Sequence, residues 1–358
     1  MTSQAITALA DMLSPHVPLG KTRLETLCLL IIGVISARTV NLSHVACERS
    51  GEVLIASTYR RLQRFFQHVA LGEDWSAGLV IRLLGLSGPW NLCLDRTNWK
   101  IGGRDVNILM LAVATRRFRV PLMWTVLDKA GNSNTQERVA LMQRYLALFG
   151  AESVRLLLAD REFIGLKWLN FLNGKNIPFA IRVKARLRVE TEDGHRLNLS
   201  SLLRKYRGAR KFYATFPGQG DVAALTLTFA ARRIRGGELL IVASNVADRN
   251  TLNAYRRRWA IECLFGDTKT RGLNLEDTRL QIASKLSLLL AIVSLAVVWA
   301  NRTASTLIGR GTLKRKTHGY YAKSWFRTGF DEIRRLLRSD PCAAVQPWSR
   351  ISIQRGVV

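Results

Sequence analysis

NLCLDRTNWKIGGRDVNILMLAVATRRFRVPLMWTVL, residues 91–127, is the stretch that determines the fold class. Its apolar residues come in short runs with alternation, a pattern of strands rather than of helices. It predicts three adjacent strands, at residues 92–94, 106–114 and 120–127. We therefore expect the chain to enter a sheet at about residue 91.

Alternating helices and strands follow this stretch. Asn132-Ser133-Asn134 marks a turn and a helix start, and residues 137–148 have helical spacing. A buried strand at 154–159, a helix at 164–172 and a strand at 178–183 come next. Strand, strand, strand, helix, strand, helix, strand is the order of an RNase H-like α/β domain, although the order by itself is suggestive rather than decisive.

Residues 184–247 interrupt this order. The segment is charged and rich in turn residues such as Glu192-Asp193-Gly194 and Pro217-Gly218, with alternating runs such as 223–230 between them. It predicts an inserted antiparallel β subdomain. Helical patterns return at 250–270 and 281–301, so the RNase H-like domain is expected to comprise residues 89–183 and 248–305.

Both ends of the chain are predicted to be helical. Residues 1–88 contain an apolar helix at 24–36 and amphipathic segments at 42–47 and 57–69, the last with three arginines on one side, Arg60, Arg61 and Arg64. They fit a helix-turn-helix-like DNA-binding domain, and also a helical cap with a solvated basic face. Residues 306–358 are expected to form a basic helical region for dimerisation or DNA contact.

The charge of the chain indicates a polyanionic partner. Its 358 residues include 54 Lys and Arg against 26 Asp and Glu, a formal net charge of +28, and 48% are hydrophobic, which is ample for a core. Ribosomal proteins and basic membrane-surface proteins share such a balance. The charge therefore favours nucleic-acid binding but says nothing about chemistry.

Cysteine and targeting patterns favour a cytoplasmic protein. The five cysteines are odd in number, far apart and without metal-ligand spacing, as expected for reduced thiols. The N-terminal residues lack the basic and apolar regions of a signal peptide. The longest apolar run, residues 286–300, is shorter than the roughly 17–25 residues that a membrane helix needs. We expect it to be a buried core helix, and expect no membrane partner.

Two aspartates stand at the ends of predicted core strands. Asp95 ends LCLD and Asp160 ends RLLLAD, and such positions face the crevice where open α/β sheets bind ligands. Each is followed directly by an arginine, Arg96 or Arg161. A turn or helix N-cap aspartate paired with its neighbouring arginine explains either one, taken singly, as well.

A third carboxylate belongs to a longer pattern. YRRRWAIECLFGDTK, residues 255–269, contains Tyr-x-x-Arg-x-x-x-Glu-x-x-x-x-x-x-Lys. On one helix the four named residues fall within an arc of roughly 60°, so one face presents Tyr255, Arg258, Glu262 and Lys269. Trp259, together with other apolar residues of the helix, is expected to pack elsewhere. A solvated stripe can have the same spacing.

Phosphodiester cleavage explains why such residues would be assembled. Two divalent ions about 4 Å apart, held by carboxylates, can activate the attacking oxygen and stabilise the leaving oxygen. Asp95, Asp160 and Glu262 are the candidate catalytic and metal-binding residues, for two Mg²⁺ ions with Mn²⁺ as a substitute. Tyr255, Arg258 and Lys269 are the candidate DNA phosphate-binding residues. No P-loop, zinc motif, nucleophilic Ser/His pair or dinucleotide motif is visible.

LCLDRTNW, LLADREFIG and the Tyr-Arg-Glu-Lys pattern, in this order, resemble the bacterial insertion-sequence transposases of the DDE type known as the IS-four group. All four signature positions match, and GLNLEDTRL and HGYYAKSWFR are also similar to this group, from about residue 92 to residue 327. The gap before Glu262 has room for the β insertion that these enzymes carry.

The resemblance implies cut-and-paste transposition of DNA. A liberated 3′-hydroxyl would attack target DNA, and a homodimer would form in which each subunit binds one terminal inverted repeat, in the bacterial cytoplasm or on the nucleoid. Some members form a DNA hairpin with an aromatic residue of the insertion that stacks a flipped base. Glu238 stands nearest to that position, the insertion has no tryptophan, and three other aromatic residues are possible substitutes: Phe212, Tyr213 and Phe216.

Two other functions share most of these features. An RNase H-like DNA nuclease would use the same fold and metals without strand transfer. An inactive DNA-binding protein derived from a transposase would keep the fold, but the presence of all three carboxylates and of the whole phosphate-binding face argues against it.

Overall fold

The centre of the protein is a mixed sheet of ten strands, in a computed structural model that describes residues 2–247 and 250–349. The strand order is β3-β2-β1-β4-β5-β10-β9-β8-β6-β7. The strands are β1 (Trp90–Ile101), β2 (Arg104–Ala114), β3 (Arg119–Leu127), β4 (Val154–Ala159), β5 (Phe179–Arg182), β6 (Arg188–Glu190), β7 (Arg196–Asn198), β8 (Arg210–Phe216), β9 (Leu225–Arg233) and β10 (Leu239–Ser244).

Helices cover the sheet and form both ends of the chain. They are α1 (Thr2–Leu13), α2 (Lys21–Ala37), α3 (Leu42–Cys47), α4 (Ile55–His68), α5 (Trp75–Leu84), α6 (Thr135–Phe149), α7 (Leu166–Gly174), α8 (Leu199–Leu202), α9 (Thr251–Tyr255), α10 (Trp259–Thr268), α11 (Ala283–Ile308), α12 (Trp325–Ser339) and α13 (Pro341–Ser349). Short 3₁₀ turns lie between several of them.

The first five strands have the order that the sequence predicts. β1 pairs in parallel with β4 and β4 with β5, whereas β2 and β3 are antiparallel. Helix α6 connects β3 to β4, and α7 connects β4 to β5. Asn134 caps α6 by accepting a hydrogen bond from the Glu137 backbone, and the Glu137 side chain accepts one from the Asn134 backbone, a capping box that fixes where this helix begins.

Strand β1 is longer than predicted, and this moves Asp95 from the end of a strand to its middle. The sequence shows an apolar run only at residues 92–94 because polar residues follow, yet β1 pairs with β2 from Asn91↔Ala114 to Ile101↔Arg104. Gly102, at φ +61°, permits the tight turn between them. The parallel neighbour β4 ends opposite Leu94, so Asp95 still lies where the crevice begins.

The insertion at 184–247 is antiparallel, as predicted, but it extends the main sheet instead of forming a sheet of its own. Its last strand, β10, pairs with β5 through Val242↔Arg182, and β9 and β8 follow in antiparallel register. The edge of β5 would otherwise expose unpaired backbone groups, and β10 supplies their partners. The insertion is therefore part of the same continuous sheet as β1 and β4.

Helix α11 is the core helix that residues 286–300 predict, and it extends further at both ends. At 26 residues it is long and apolar enough to cross a membrane by length and composition, but 78% of its most apolar window is buried within the protein. It packs against α2, α5, α12 and β3. Helix α1 packs against α13, so helices from both ends of the chain share one hydrophobic core with the sheet.

Candidate active site

Three separate segments of the chain converge at Arg258. Its guanidinium lies 3.4 Å from Asp95 Oδ2 (Nη1) and forms an ion pair with Glu262 Oε1 through Nη2. The Tyr255 hydroxyl, one helical turn away, donates to Asp160 Oδ1 at 3.4 Å. The structure thus places Asp95 from β1, Asp160 from the end of β4 and Glu262 from α10 around the same side chains.

The helix that carries the Tyr-Arg-Glu-Lys pattern is not uniform. Residues 251–268 form α9, a 3₁₀ turn at Arg256–Arg258 and α10, with right-handed helical φ and ψ angles through the junction. Tyr255, Arg258 and Glu262 remain on one face, as predicted. The helix ends at Thr268, so the fourth position, Lys269, lies just beyond it.

Lys269 lies away from the three carboxylates. Its Nζ forms an ion pair with Glu276 at 2.7 Å, donates to the Asn98 carbonyl at 3.2 Å and lies 5.4 Å from the centre of the Trp99 ring. These contacts place it three to four residues beyond Asp95 along β1. The signature therefore spans an extended surface along the crevice and does not surround a single point.

Asp95 is a largely buried carboxylate in a region of mixed charge. Its Oδ1 accepts a hydrogen bond from the Arg96 backbone at 2.8 Å. Burial raises the pKa of Asp95 to about 6, and the charges of Glu162 and Asp160 add to this, although the Arg96 N–H and the Arg258 guanidinium lower the pKa. A buried carboxyl with a raised pKa gains more than an exposed one from a bound cation.

Asp160 follows β4 directly, as the sequence predicts. It precedes a 3₁₀ turn at Arg161–Phe163, but its side chain makes no capping hydrogen bond. The interpretation of Asp160 as a capping residue is therefore wrong.

The arginines after the two aspartates do not pair with them. The Arg96 side chain forms an ion pair with Glu162 at 2.7 Å and also donates to Asn107 and to the Gly131 carbonyl. Arg161 Nη1 lies 3.9 Å from Glu238. The interpretation of each aspartate as the partner of its neighbouring arginine is wrong, because these arginines reach side chains that are distant in sequence.

The Arg96–Glu162 ion pair is a feature of the site that local sequence patterns do not indicate. It connects β1 to the segment after β4, next to both aspartates, and it is reinforced by Arg138, which donates to the Glu162 carbonyl at 3.0 Å. The only signal was an acid two residues after Asp160 in LLADREFIG, which by itself does not reveal its partner.

Trp259 does not pack in the core, contrary to expectation. It is 62% exposed and stands three residues before Glu262 on the same helix. At about 100° per residue, Trp259 lies only about 40° from Tyr255 on a regular helix, so its exposure follows from its place beside the polar face. An exposed indole next to arginines is a surface on which a nucleic-acid base can stack.

The N-terminal arginines are divided between two environments. Arg60 and Arg64 are exposed on α4. Arg61 is held against α2, where it donates to Thr26 Oγ1 at 2.7 Å and to the Thr22 carbonyl at 2.9 Å. Arg61 is therefore engaged in helix packing, whereas the other two are accessible.

The insertion residues near the expected aromatic position differ in accessibility. Glu238 forms an ion pair with Arg182 on β5, so its side chain is engaged with the sheet. Phe212 stacks against Phe229 at 5.5 Å. Tyr213 is 49% exposed, which makes it the accessible one of these aromatic residues.

The carboxylate cluster is arranged around an arginine. Among the residues that the structure describes, no three His, Cys, Asp or Glu side chains are close enough together to hold a metal ion as arranged. Arg258 lies between Asp95 and Glu262 instead. The donor set still fits a hard divalent cation, because all three side chains offer carboxylate oxygens and Asp95 is largely buried with other acids nearby.

Replacing Asp95 by asparagine is expected to change the pH dependence of stability. The folded state retains the Asp95 proton up to about pH 6, whereas the ordinary pKa is 3.8, so the folded state binds more protons between these values. The free energy of unfolding attributable to Asp95 therefore decreases as pH rises through this window. Asp95→Asn should be more stable than wild type above pH 6 by about 1–3 kcal/mol, because the pKa shift from 3.8 to about 6, which already includes the favourable effect of Arg258, corresponds to at most about 3 kcal/mol.

Chemical denaturation at a series of pH values without divalent metal measures this difference. Asp128→Asn, at a side chain that is 95% exposed, is the matched control and should parallel wild type. Parallel curves for Asp95→Asn and wild type would show that Asp95 is not held in an unfavourable charged state.

Comparison with known proteins adds the family. A family model described as "Transposase DDE domain" matches residues 87–299, more than half of the chain, and this range includes Asp95, Asp160 and Glu262. Among solved structures, the cryo-EM structure of the piggyBac transposase synaptic complex with hairpin DNA is similar at a TM-score of 0.42 and 10% identity, over 98% of this chain and 82% of that chain. No curated protein matches. The chain belongs to the DDE transposase family, and it is an enzyme of DNA transposition.

Proposed function

We propose that this transposase belongs to the IS-four group and cuts and joins DNA with Asp95, Asp160 and Glu262 as its catalytic carboxylates. The observation that carries the proposal is the contact of Arg258 with Asp95 and Glu262, beside the Tyr255–Asp160 hydrogen bond. Residues far apart in sequence, each selected by a motif, come together at one place. Three accidental turn or surface acids would not be expected to do so.

The carboxylates are proposed to hold two Mg²⁺ ions, for which Mn²⁺ can substitute. DDE transposases generally use divalent metal ions. Bound there, the ions would supply activation of the attacking oxygen and stabilisation of the leaving oxygen. To bind the ions, Asp95 and Glu262 would have to give up their ion pairs with Arg258. The Arg258 guanidinium would then be a positive charge available next to the scissile phosphate.

Arg258, Tyr255 and Lys269 are proposed to bind and orient the DNA strand. Arg258 can form two parallel hydrogen bonds to a phosphate once the carboxylates no longer occupy it. The Tyr255 hydroxyl already donates to a carboxylate oxygen and can hold Asp160 in place. Lys269 lies beside a later part of β1, at Asn98. It would contact a neighbouring phosphate in place of its ion-pair partner Glu276.

The substrates are proposed to be terminal inverted repeats and target DNA, bound by a homodimer in the bacterial cytoplasm. The net charge of +28 supports a DNA partner. Within 1–88, the exposed Arg60 and Arg64 on α4 are the accessible candidates for further DNA contacts. The functional regions are proposed to be the N-terminal helical domain (1–88), the RNase H-like domain (89–183 and 248–305), the β insertion (184–247) and the basic C-terminal region (306–358). Their buried residues belong to one hydrophobic core.

A joining assay tests this proposal against a nuclease without strand transfer. The wild-type protein is incubated with duplexes that carry the inverted repeats flanking its own gene, a supercoiled target plasmid and Mg²⁺ or Mn²⁺. A transposase yields products in which the repeat's 3′ end is joined to the plasmid. Cleaved repeats without joined products would favour the nuclease, and intact repeats bound by the protein would favour an inactive DNA-binding protein.

Removing Arg258 or Lys269 is expected to weaken DNA binding and to reduce its salt dependence. The plot of log binding constant against log salt concentration has a negative slope. Each Ala variant should make this slope less steep by about 0.9, the contribution of one phosphate contact in duplex DNA. Lys175→Ala, at an exposed residue that follows α7, is the matched control. A slope equal to that of the control would show that the replaced residue makes no phosphate contact.

A further inference from the structure

A second basic site lies at the opposite ends of the strands from Asp95 and Asp160. It is a cavity of about 590 Å³, formed by the amino ends of β1 and β4, the β2–β3 turn and the segments that follow α5 and α11. Among the residues that the structure describes, its lining contains no Asp or Glu and five arginines: Arg116, Arg117, Arg155, Arg257 and Arg310.

One of these arginines has a structural role. Arg117 donates to the Gly309 carbonyl at 3.1 Å and lies 5.1 Å from the centre of the Trp325 ring. The other four guanidinium groups make no ion pair or hydrogen bond with any part of the chain that the structure describes. Four uncompensated positive charges therefore surround one cavity.

Such a cavity favours a ligand with several negative charges. Like charges around a concave surface raise its potential and attract anions. Guanidinium groups match the geometry of phosphate oxygens and can bind them in pairs. Arg116, Arg257 and Arg310 are exposed and Arg155 is half-buried, so the charges extend from the cavity onto the surface. This arrangement suits a long chain of phosphates better than a small enclosed ligand.

The cavity is connected to the carboxylate site through adjacent residues. Arg258 contacts Asp95 and the preceding residue, Arg257, lines the cavity, because neighbouring side chains on the 3₁₀ turn that carries them point about 120° apart. Asn91, at the cavity, precedes Asp95 by four positions along β1, a separation of about 13 Å at ~3.3 Å per residue. This separation is less than one turn of B-DNA, about 34 Å, so a single duplex is long enough to reach both sites.

We propose that the arginine cavity binds the phosphodiester backbone of DNA, on the same duplex whose scissile phosphate occupies the carboxylate site. This inference rests on the proposed function, because it assumes that the carboxylate site holds the scissile phosphate of the same duplex. The cavity would hold the DNA through its charge, without reading its sequence.

The test is a salt series with a triple variant, Arg116→Ala with Arg155→Ala and Arg310→Ala. Arg257 is left intact because it adjoins Arg258. The probe is a long, labelled random-sequence duplex, and binding is measured with a metal chelator present so that no cleavage occurs. The variant should bind more weakly. The slope of log binding constant against log salt should become less steep by about 0.9 for each phosphate that is no longer bound, about 2–3 in total.

Two matched variants separate a local effect from a general loss of charge or of folding. Arg196→Ala with Arg235→Ala and Arg335→Ala removes three exposed arginines elsewhere and should keep a slope near that of wild type. Lysine at the three cavity positions preserves the charges and should restore most of the slope. If the cavity alanine variant has the same slope as the control triple, the proposal is overturned.

A small phosphorylated ligand is the competing occupant. Calorimetric titration with inorganic pyrophosphate measures it, and loss of pyrophosphate binding in the cavity variant with an unchanged DNA slope would overturn the DNA assignment. Failure of the proposed function would look different. Wild-type protein would then neither cleave nor join DNA with metal, while the difference in salt slope between the cavity variant and its control would remain.

Discussion

Asp95→Ala, Asp160→Ala and Glu262→Ala are each expected to abolish metal-dependent cleavage of transposon ends, a loss of about 10³-fold or more. Each removes a carboxylate that the proposed two-ion site needs. DNA binding should be largely retained, because the removed group is an acid and the phosphate-binding bases remain. Cleavage rates and binding constants of the purified variants measure both effects.

The control for this prediction is Asp128→Ala, which removes an exposed acid near the end of β3 and should cleave normally. Because Asp95 and Glu262 are both partners of Arg258, each of their variants also removes one of the two carboxylates that compensate this largely buried cation. Thermal unfolding therefore has to be compared alongside activity. A variant that cleaves at the wild-type rate would remove its residue from the catalytic set.

Gly329→Ala is expected to produce the largest loss of stability, about 3 kcal/mol or more in the free energy of unfolding. Gly329 lies in α12 where this helix packs against α11, and a Cβ there would overlap the Ala300 carbonyl oxygen and lie 2.8 Å from Ala304 N. The obstacle is helix backbone, which cannot move aside as a flexible side chain can. The two helices must separate, and the core that they share must loosen.

Gly78→Ala is the matched control because Gly78 is also in a helix, α5, but a Cβ there meets nothing within 4 Å. Alanine at that exposed position should stabilise the protein by up to about 1 kcal/mol. Chemical denaturation of both variants measures the contrast. Equal stability of Gly329→Ala and wild type would show that α11 and α12 can accommodate a methyl group between their backbones.

Most of the fold could be predicted from the sequence because its elements are marked by local patterns. The strand at 154–159 matches β4, and the helix at 137–148 differs from α6 by one or two residues at its ends. The length of β1 could not be predicted in the same way. Polar residues after Asp95 hide the strand, and pairing with β2 across the whole hairpin is what extends it.

The candidate site was predictable in composition but not in arrangement. Asp95, Asp160, Tyr255, Arg258 and Glu262 were selected from motifs, and the structure brings them together. Their partners were not predictable, because ion pairs depend on which side chains meet after folding. This limit applies to Arg96 with Glu162, whereas the exposure of Trp259 follows from its position beside the polar face of the helix.

The sequence by itself determined the order of strands and helices, the basic character of the protein and the choice of three candidate carboxylates with the Tyr-Arg-Glu part of one helix face. These are properties of short segments, in which periodicity and spacing carry the information. Only the tertiary structure decided that Arg258 lies between Asp95 and Glu262, that β10 joins the insertion to β5, and that distant arginines form one cavity. Such contacts depend on backbone pairing and helix packing between remote segments, which no local pattern encodes.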